Sequence, residues 1–429
     1  MKNPYLVLCL LGLTSTCPAA TPAFPGAEGA GAGALGGRGG RAIYVANLND
    51  SGPGSLREAI EAQGPRTVLF QISGTIELRR DLRIVEPFIT IAGQTAPGDG
   101  ICLKNFPLLI QTHDVAVRFL RVRPGAGSGK AVDALSIGTN GSRVVVDHCS
   151  AGWSVDEALS TSGTNIQGVS VQWCLIAESL NHSIHKKGEH GYGSLIRADG
   201  DVTYHHNIYA HHTSRNPRPG SYGEGRGILL DFRNNLIYDW GTRAGYTSED
   251  PATLNYVGNY LKAGPSTHRH NEAFNVGGPA TKLYAEGNVY EGNAALSADN
   301  WKMIGHALPG TKAEQPFPTA LVKTDTAPEA FAKLLARAGA TLPKRDAADA
   351  RVIAEIGAGG GQLINSPAEV GGWPVLKSAT APLDSDDDGI PDAWEQTHGL
   401  NPHDAADGQR VGHDGYTHLE RYLNGLVHD

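Results

Sequence analysis

The chain has 429 residues, of which 19% are charged, and it carries a formal net charge of −8 at pH 7. This length allows one large domain with a small appendage, and the low charged fraction excludes a disordered chain. The net charge argues against nucleic acid as a partner. It would also repel an acidic polysaccharide, unless a local basic site or a bound cation reverses the field.

Residues 1–20 have the pattern of a secretory signal peptide. Lys2 is the only charge of the n-region, an apolar core runs from Tyr5 to Leu13, and small residues follow. The apolar core is too short to cross a bilayer. We therefore predict a protein that is secreted out of the cell or into the periplasm, without membrane insertion, and we expect it to be a monomer.

Three cysteines remain once this segment is removed: Cys102, Cys149 and Cys174. An odd number leaves at least one thiol free. Cysteine side chains are often simply buried, and burial is our expectation for these three. A bridge between Cys149 and Cys174 is the alternative, because the repeat described below stacks these two residues.

A short helix is predicted near the start of the mature chain. Ser55 and Glu58 have the spacing of a capping box that opens a helix through Ile60. Such a helix would cover the open end of a stack of strands and protect its exposed edge.

A repeated strand pattern occupies the middle of the chain. Seven segments place one aliphatic residue five positions before their last residue and another apolar residue three positions before it. Apolar residues with a period of two indicate strands. The last residues of successive segments lie 24 to 33 residues apart, at Leu120, Cys149, Cys174, Asn207, Asn235, Asn259 and Asn288.

This spacing favours a solenoid whose turns stack on one another. Helical patterns do not separate the strands, which argues against βαβ units, and the blades of a β-propeller need about 40 residues each. We therefore predict an all-β fold, a right-handed parallel β-helix over residues 21–300. The final column of the repeat predicts hydrogen bonds between stacked side chains from coil to coil, at Asn207, Asn235, Asn259 and Asn288.

The composition changes twice after the repeat ends. Helical patterns from Pro328 to Gly339 and from Asp346 to Ile356 predict a helical and irregular region over residues 301–382. Residues 383–429 predict a small appendage built on an EF-hand-like calcium loop that binds Ca²⁺ independently of catalysis. Seven residues match positions one, three, five, six, seven, nine and twelve of such a loop, namely Asp384, Asp386, Asp388, Gly389, Ile390, Asp392 and Glu395.

The register of the repeat also places acidic and basic residues on one surface stripe. Asp156 lies seven residues after Cys149, and Arg215 and Arg243 lie eight residues after Asn207 and Asn235. With coils about 4.8 Å apart, Asp156 and Arg215 would be separated by roughly 10 Å. Asn181 and His182 have the same place in the coil between them.

An acidic group begins this stripe. Asp147 has the opposite parity to the core residue Val146, so we expect it to point outward. Together with Asp156 and Glu157 it would supply hard oxygen ligands of the kind that Ca²⁺ prefers. A solvated acidic loop is the alternative, because these residues form no metal signature by themselves.

Several motifs resemble those of the pectate lyase family, polysaccharide lyase family one. They are DHCSAGWSVDEALS, HGYGSL, VTYHHNIYAHHTSRNPR and FRNNLIYDW, and the glycine-rich opening with GGWP and DSDDDGIPDAWE is similar to the family's bacterial members. The resemblance covers nearly all of the mature chain. It implies a right-handed parallel β-helix, which agrees with the reading of the repeat.

The resemblance also implies a reaction and the residues that perform it. The reaction is calcium-assisted β-elimination on pectate, the de-esterified polygalacturonate of plant cell walls. Arg215 matches the base and Arg218 the partner of a substrate carboxylate, with Asp147 and Asp156 as calcium ligands. A guanidinium hardly deprotonates near neutral pH, so the reaction should run better at alkaline pH.

Two departures from the family pattern affect the remaining substrate contacts. Gly220 stands where the family has a third basic residue, and the family's lysine on the intervening coil has no clear match. Lys187 lies several residues before the position that corresponds to the family's lysine. His190 lies nearer to that position and offers a proton donor that titrates near neutral pH. We include Lys187, His190 and Arg243 with Arg218 as predicted substrate-binding residues.

Two other functions remain open from the sequence. The first is a β-helix glycosidase on pectic polymers, which needs two carboxylates flanking the bond. Asp156 and Glu157 offer them, although adjacent residues of a strand point in opposite directions. The second is a non-catalytic carbohydrate-binding β-helix, which predicts binding without product.

Overall fold

The computed structural model describes residues 21–223 and 227–427, so the predicted signal peptide, residues 1–20, lies outside the described residues. Within that part of the chain, the strands form three long parallel sheets that the chain visits in turn. A ten-stranded sheet contains Arg41–Val45, Arg66–Phe70, Ile89–Ala92, His113–Arg118, Ser142–Asp147, Gln167–Gln172, Asp201–His205, Ile228–Arg233, Ala252–Val257 and Thr281–Glu286.

The other two long sheets complete each coil. A nine-stranded sheet contains Gly74–Glu77, Ile101–Lys104, Arg121–Arg123, Ser150–Gly152, Leu175–Ala177, Ile208–Ala210, Leu236–Tyr238, Tyr260–Lys262 and Val289–Tyr290. A six-stranded sheet contains Leu82–Ile84, Leu108–Ile110, Leu135–Ile137, Leu159–Ser162, Leu195–Arg197 and Arg218–Gly220. A short three-stranded sheet follows, with Gly245–Tyr246, Phe274–Asn275 and Ile304–Gly305. The fold is the predicted parallel β-helix.

The seven repeated segments all lie in the ten-stranded sheet, and their stacking confirms the predicted alignment. Val144 pairs with Val115 on one side and with Val169 on the other. The same column continues through Val202, Leu230, Leu254 and Leu283. These side chains are fully buried and form the inner core of the solenoid.

The asparagine column forms the predicted ladder. The Asn235 Oδ1 atom accepts from the backbone N of Asn207 at 2.9 Å and from its Nδ2 at 3.0 Å. Asn259 accepts from Asn235 in the same way, and Asn288 from Asn259. Asn300 extends the ladder by one step. The ladder satisfies backbone N–H groups that would otherwise be buried without a partner.

Six α-helices accompany the sheets in the described residues: α1 (Leu56–Glu61), α2 (Ala294–Ala298), α3 (Ala327–Arg337), α4 (Ala347–Ala358), α5 (Asp392–His398) and α6 (His418–Gly425). Single 3₁₀ turns span Gly93–Thr95, Asn300–Met303 and Pro367–Val370. None of these helices is long and apolar enough to cross a membrane.

Helices α1, α3 and α4 form where the sequence predicted them. Ser55 caps α1 by accepting from the Glu58 backbone N–H, and Leu56 and Ile60 of this helix join the core beside the first coils. Helices α3 and α4 cover the outer face of the nine-stranded sheet, where Leu334 and Val352 pack with Leu175, Ile208 and Leu236. Residues 383–427 lie against the first strands of the ten-stranded sheet, where Ile390 and Leu419 pack with Leu69 and Ala92.

The three cysteines are free and buried, as expected. Cys149 and Cys174 lie in the stacked column, and burial raises the pKa of the Cys174 thiol. They behave as small apolar core residues.

Candidate active site

The predicted stripe forms where the nine-stranded sheet gives way to the six-stranded sheet. Glu157, Tyr192 and Ser214 occupy one column in consecutive coils. Asp156 lies one residue before Glu157, and Arg215 lies one residue after Ser214. Asn181 and His182, which we expected in the intervening coil, belong instead to a loop that leaves the coil before Tyr192.

Arg215 is held by an acid and two aromatic rings. Its Nη1 donates to the Glu157 carboxylate, and its Nε donates to the Tyr246 hydroxyl at 3.3 Å. Its guanidinium lies 4.2 Å from the centre of the Tyr192 ring. Burial acts to lower the pKa of Arg215, but the Glu157 carboxylate together with Tyr246 and Tyr192 raises it overall.

Three carboxylates converge beside Arg215. Asp133, Asp156 and Glu157 each offer an oxygen, and these oxygens lie within 4.8 Å of one another. Burial, and then the neighbouring Asp133 carboxylate, raise the pKa of Glu157 well above its usual range. Burial also raises the pKa of Asp133. Buried acids with raised pKa values in one cluster are frequent at functional sites.

Sequence reasoning missed Asp133, although a signal for it was present. The residues DALS at Asp133 repeat as EALS at Glu157, and Leu135 and Ser136 pair with Leu159 and Ser160 in the six-stranded sheet. Asp133 is therefore the counterpart of Glu157 one coil earlier. Its Oδ1 accepts from the Glu157 backbone N at 3.3 Å, which brings the two carboxylates together.

Asp156 joins the cluster to the loop that precedes Tyr192. Its Oδ1 lies 2.9 Å from Nε2 of His190 and its Oδ2 lies 3.8 Å from Nε2 of His185. The two imidazole rings stack with their centres 3.7 Å apart. Although burial acts to raise it, the hydrogen bond from His190 lowers the pKa of Asp156 to about 2.

The other predicted substrate-binding residues surround this group. Arg218 contacts Ser248, and its Nη2 lies 3.3 Å from the Asp250 carboxylate. Burial lowers the pKa of Arg218. Arg243 is exposed and stacks 5.4 Å from the Tyr246 ring centre. Lys187 is exposed on the loop of His185, to whose Nδ1 its backbone N donates at 3.1 Å.

Asp147 points away from the core of the solenoid, but it is covered rather than exposed and does not join the carboxylate cluster. It is fully buried in the ten-stranded sheet, and its carboxylate accepts from Arg118 Nε at 2.8 Å and from Gln172 Nε2 at 2.9 Å. The parity was correct, but the N-terminal segment covers this face of the strand. The Phe24 ring lies 3.7 Å from the Arg118 guanidinium, and the Gly26 carbonyl accepts from Gln172.

The C-terminal loop brings most of its predicted ligands together. Oxygens of Asp384, Asp386 and Asp388 lie within 4.8 Å of one another, and Glu395 forms a second such group with Asp388 and Asp407. Asp392 departs from the prediction, because its carboxylate accepts from Ser385 N at 2.8 Å and Ser385 Oγ at 2.7 Å. The Ile390 side chain is fully buried.

Comparison with known proteins gave relatives along the whole chain. No family model matches. A probable pectate lyase C of Aspergillus flavus is 36% identical over 438 residues, covering 99% of this chain and 98% of that protein. Its counterpart in Aspergillus terreus is 37% identical over 442 residues, covering 100% and 99%. These relatives are fungal, so they do not support the bacterial type suggested by the motifs.

Solved structures share the fold at low sequence identity. The major allergen of cedar pollen matches with a TM-score of 0.54 at 19% identity, covering 73% of this chain and 92% of that one. A pectate lyase bound to a hexasaccharide matches with a TM-score of 0.53 at 14% identity, covering 76% and 99%.

Proposed function

Because the chain belongs to the pectate lyase family, as relatives 36 and 37% identical over nearly its whole length show, we propose that it cleaves pectate by β-elimination. The observation that carries this proposal is the contact of Arg215 with Glu157 inside a cluster of three carboxylates. A cation site next to a guanidinium is the arrangement that eliminating a uronate requires. We further propose that residues 1–20 direct secretion.

The carboxylate cluster fits a calcium ion. Asp133, Asp156 and Glu157 supply the hard oxygen ligands that Ca²⁺ takes in irregular geometry. The raised pKa values of Asp133 and Glu157 express the cost of burying these acids together, and a cation removes that cost. When bound, the ion would engage a substrate carboxylate and acidify the proton on the adjacent ring carbon.

Arg215 would remove this proton. The C–H electron pair then forms a carbon–carbon double bond, and the glycosidic oxygen leaves with the rest of the polymer. Tyr192 and Tyr246 fix the plane of the guanidinium by stacking and hydrogen bonding, so that one nitrogen is presented in a constant direction.

Glu157 controls whether Arg215 can accept a proton. In the structure their ion pair raises the pKa of Arg215 and keeps it protonated. A substrate-bound state in which Glu157 has other partners lowers that pKa toward the working range. Nearby cations favour the neutral guanidine further. Arg215 and Arg218 are close enough for this effect to register, because Arg215 is one of the groups that lower the pKa of Arg218.

The test is an assay for unsaturated product. The protein is incubated with polygalacturonate, with and without Ca²⁺, and the ultraviolet absorbance of the unsaturated uronate is followed. We expect absorbance to rise only with calcium, in step with new reducing ends. Reducing ends without absorbance would mean hydrolysis, and binding without either product would mean a carbohydrate-binding protein.

A further inference from the structure

The C-terminal segment contains buried carboxylate oxygens to which no described group donates a hydrogen bond. Within the described residues, no hydrogen-bond partner contacts the following buried oxygens: Asp386 Oδ2, Asp388 Oδ2, Asp407 Oδ1 and both Oε atoms of Glu395. Glu395 is fully buried. A buried charge of this kind is costly unless it is paired or binds a metal.

These oxygens converge from two separate stretches of chain. Asp388, Glu395 and Asp407 each bring an oxygen within 4.8 Å of the other two, and Asp384 and Asp386 meet Asp388 on its other side. The group thus has the charge and the oxygen donors of a cation site with its ligands already in place.

We propose that Asp384, Asp386, Asp388, Glu395 and Asp407, with the backbone carbonyl of Ile390, bind one Ca²⁺ that fastens the C-terminal segment to the first coils of the β-helix. The donor set is in the range of roughly six to eight oxygens that Ca²⁺ takes, with Glu395 available as a bidentate ligand.

Asp407 replaces Asp392 in this set. The linear motif assigns the ninth position to Asp392, but Ser385 occupies both of its carboxylate oxygens. Asp407 lies twelve residues beyond Glu395, outside the loop, and the Asn401 backbone N donates to its Oδ2 at 2.9 Å. This bond leaves Oδ1 directed toward Asp388 and Glu395.

The same loop contacts the β-helix directly. The Tyr44 hydroxyl, from the first strand of the ten-stranded sheet, donates to the Asp384 carboxylate. Ile390 packs in one buried cluster with Leu69 and Ala92 from the next two strands of that sheet. An ion that fixes the positions of Asp384 and Ile390 would therefore stabilise the docking of residues 383–427.

The experiment uses the full chain and terbium as a luminescent substitute for calcium. Trp394 and Tyr44 are close enough to the loop to sensitise Tb³⁺, so luminescence reports this site without measuring activity. We expect Glu395→Gln to abolish most of the signal. Calcium competition then gives the affinity of Asp407→Asn, which keeps an oxygen for Asn401, against the matched variant Asp392→Asn.

We expect Asp407→Asn to weaken calcium binding by about tenfold or more, while Asp392→Asn shifts it far less. Calcium should also raise the thermal unfolding temperature of the wild type. Asp407→Asn should need a higher calcium concentration than the wild type for the same rise. A larger loss in Asp392→Asn than in Asp407→Asn would mean that the loop follows the linear motif, and equal losses would equally refute the replacement of Asp392 by Asp407. A terbium signal that persists in Glu395→Gln, or stability that ignores calcium, would refute the site.

Discussion

Replacing Arg215 by lysine should nearly abolish turnover while the protein stays folded. Lysine preserves the positive charge beside Glu157, so the buried carboxylate keeps a partner. It loses the planar fork that donates to Tyr246 and lies over Tyr192. Because an ammonium lacks this fixed geometry, it cannot hold its nitrogen in the position from which Arg215 would remove the proton.

The structure separates the catalytic loss from the loss of stability. A positioned general base contributes about 10²- to 10⁴-fold to rate, or about 3 to 5 kcal/mol of activation free energy. The lost hydrogen bond to Tyr246 contributes about 1 kcal/mol to stability, and the stacking on Tyr192 about 1 kcal/mol more. Arg215→Ala should cost more stability, about 3 to 5 kcal/mol, since it leaves Glu157 buried and unpaired.

The assay measures kcat/KM on polygalacturonate by ultraviolet absorbance, with the free energy of unfolding from urea titration of the same samples. Arg83→Lys is the control, because Arg83 is exposed and pairs with Asp81, outside the carboxylate cluster and its surrounding residues. We expect it to retain most of the activity. An Arg215→Lys enzyme with a rate near that of the wild type would exclude Arg215 as the base.

Three further predictions concern calcium, the ladder and pH. Asp133→Asn should raise the calcium concentration for half-maximal activity by about 10- to 100-fold, whereas Asp147→Asn should lower the unfolding free energy and leave that concentration unchanged. Asn235→Ala should lower the unfolding free energy by roughly 3 kcal/mol, because it removes the side-chain partner of the Asn207 N–H and of the Tyr204 carbonyl. A loss below about 1 kcal/mol would contradict a stabilising role for the asparagine ladder. Burial opposes protonation of His211, but hydrogen bonds to Asp239 and Glu355 raise its pKa to about 9. Protonated His211 therefore stabilises the folded protein fully below its unfolded pKa of about 6.5, and this stabilisation is lost as the pH rises through about 9. Urea titrations of His211→Gln and wild type should converge at high pH, and a constant difference would contradict this.

The repeat was predictable because it rests on local rules. Alternation of period two determines which side chains enter the core, and stacking repeats the choice from coil to coil. The column from Val115 to Leu283 therefore paired as the sequence aligned it. The asparagine ladder followed from the same register, and the helices from their capping patterns and apolar spacing.

The errors arose where residues distant in sequence meet. Asp147 has outward parity, but the segment around Phe24 covers that face and turns an expected ligand into part of a buried ion pair. Asp407 brings a carboxylate oxygen within 4.8 Å of oxygens of Asp388 and Glu395 from outside the linear motif. Residue spacing along the chain indicates neither the segment that covers Asp147 nor the approach of Asp407, since both depend on how separate segments pack.

The pairing of Arg215 with Glu157, rather than with Asp156, has a local cause that periodicity does not encode. In the column of Glu157, Tyr192 and Ser214, Arg215 lies one residue beyond Ser214, and an extended residue there would direct its side chain to the opposite face. Its backbone is instead left-handed, with φ of 64°, a conformation that few non-glycine residues adopt and that is frequent at functional sites. This angle takes Arg215 out of the strand's alternation, and its guanidinium contacts Glu157. The register thus predicted the neighbourhood of the proposed base, and one backbone angle determined which acid it contacts.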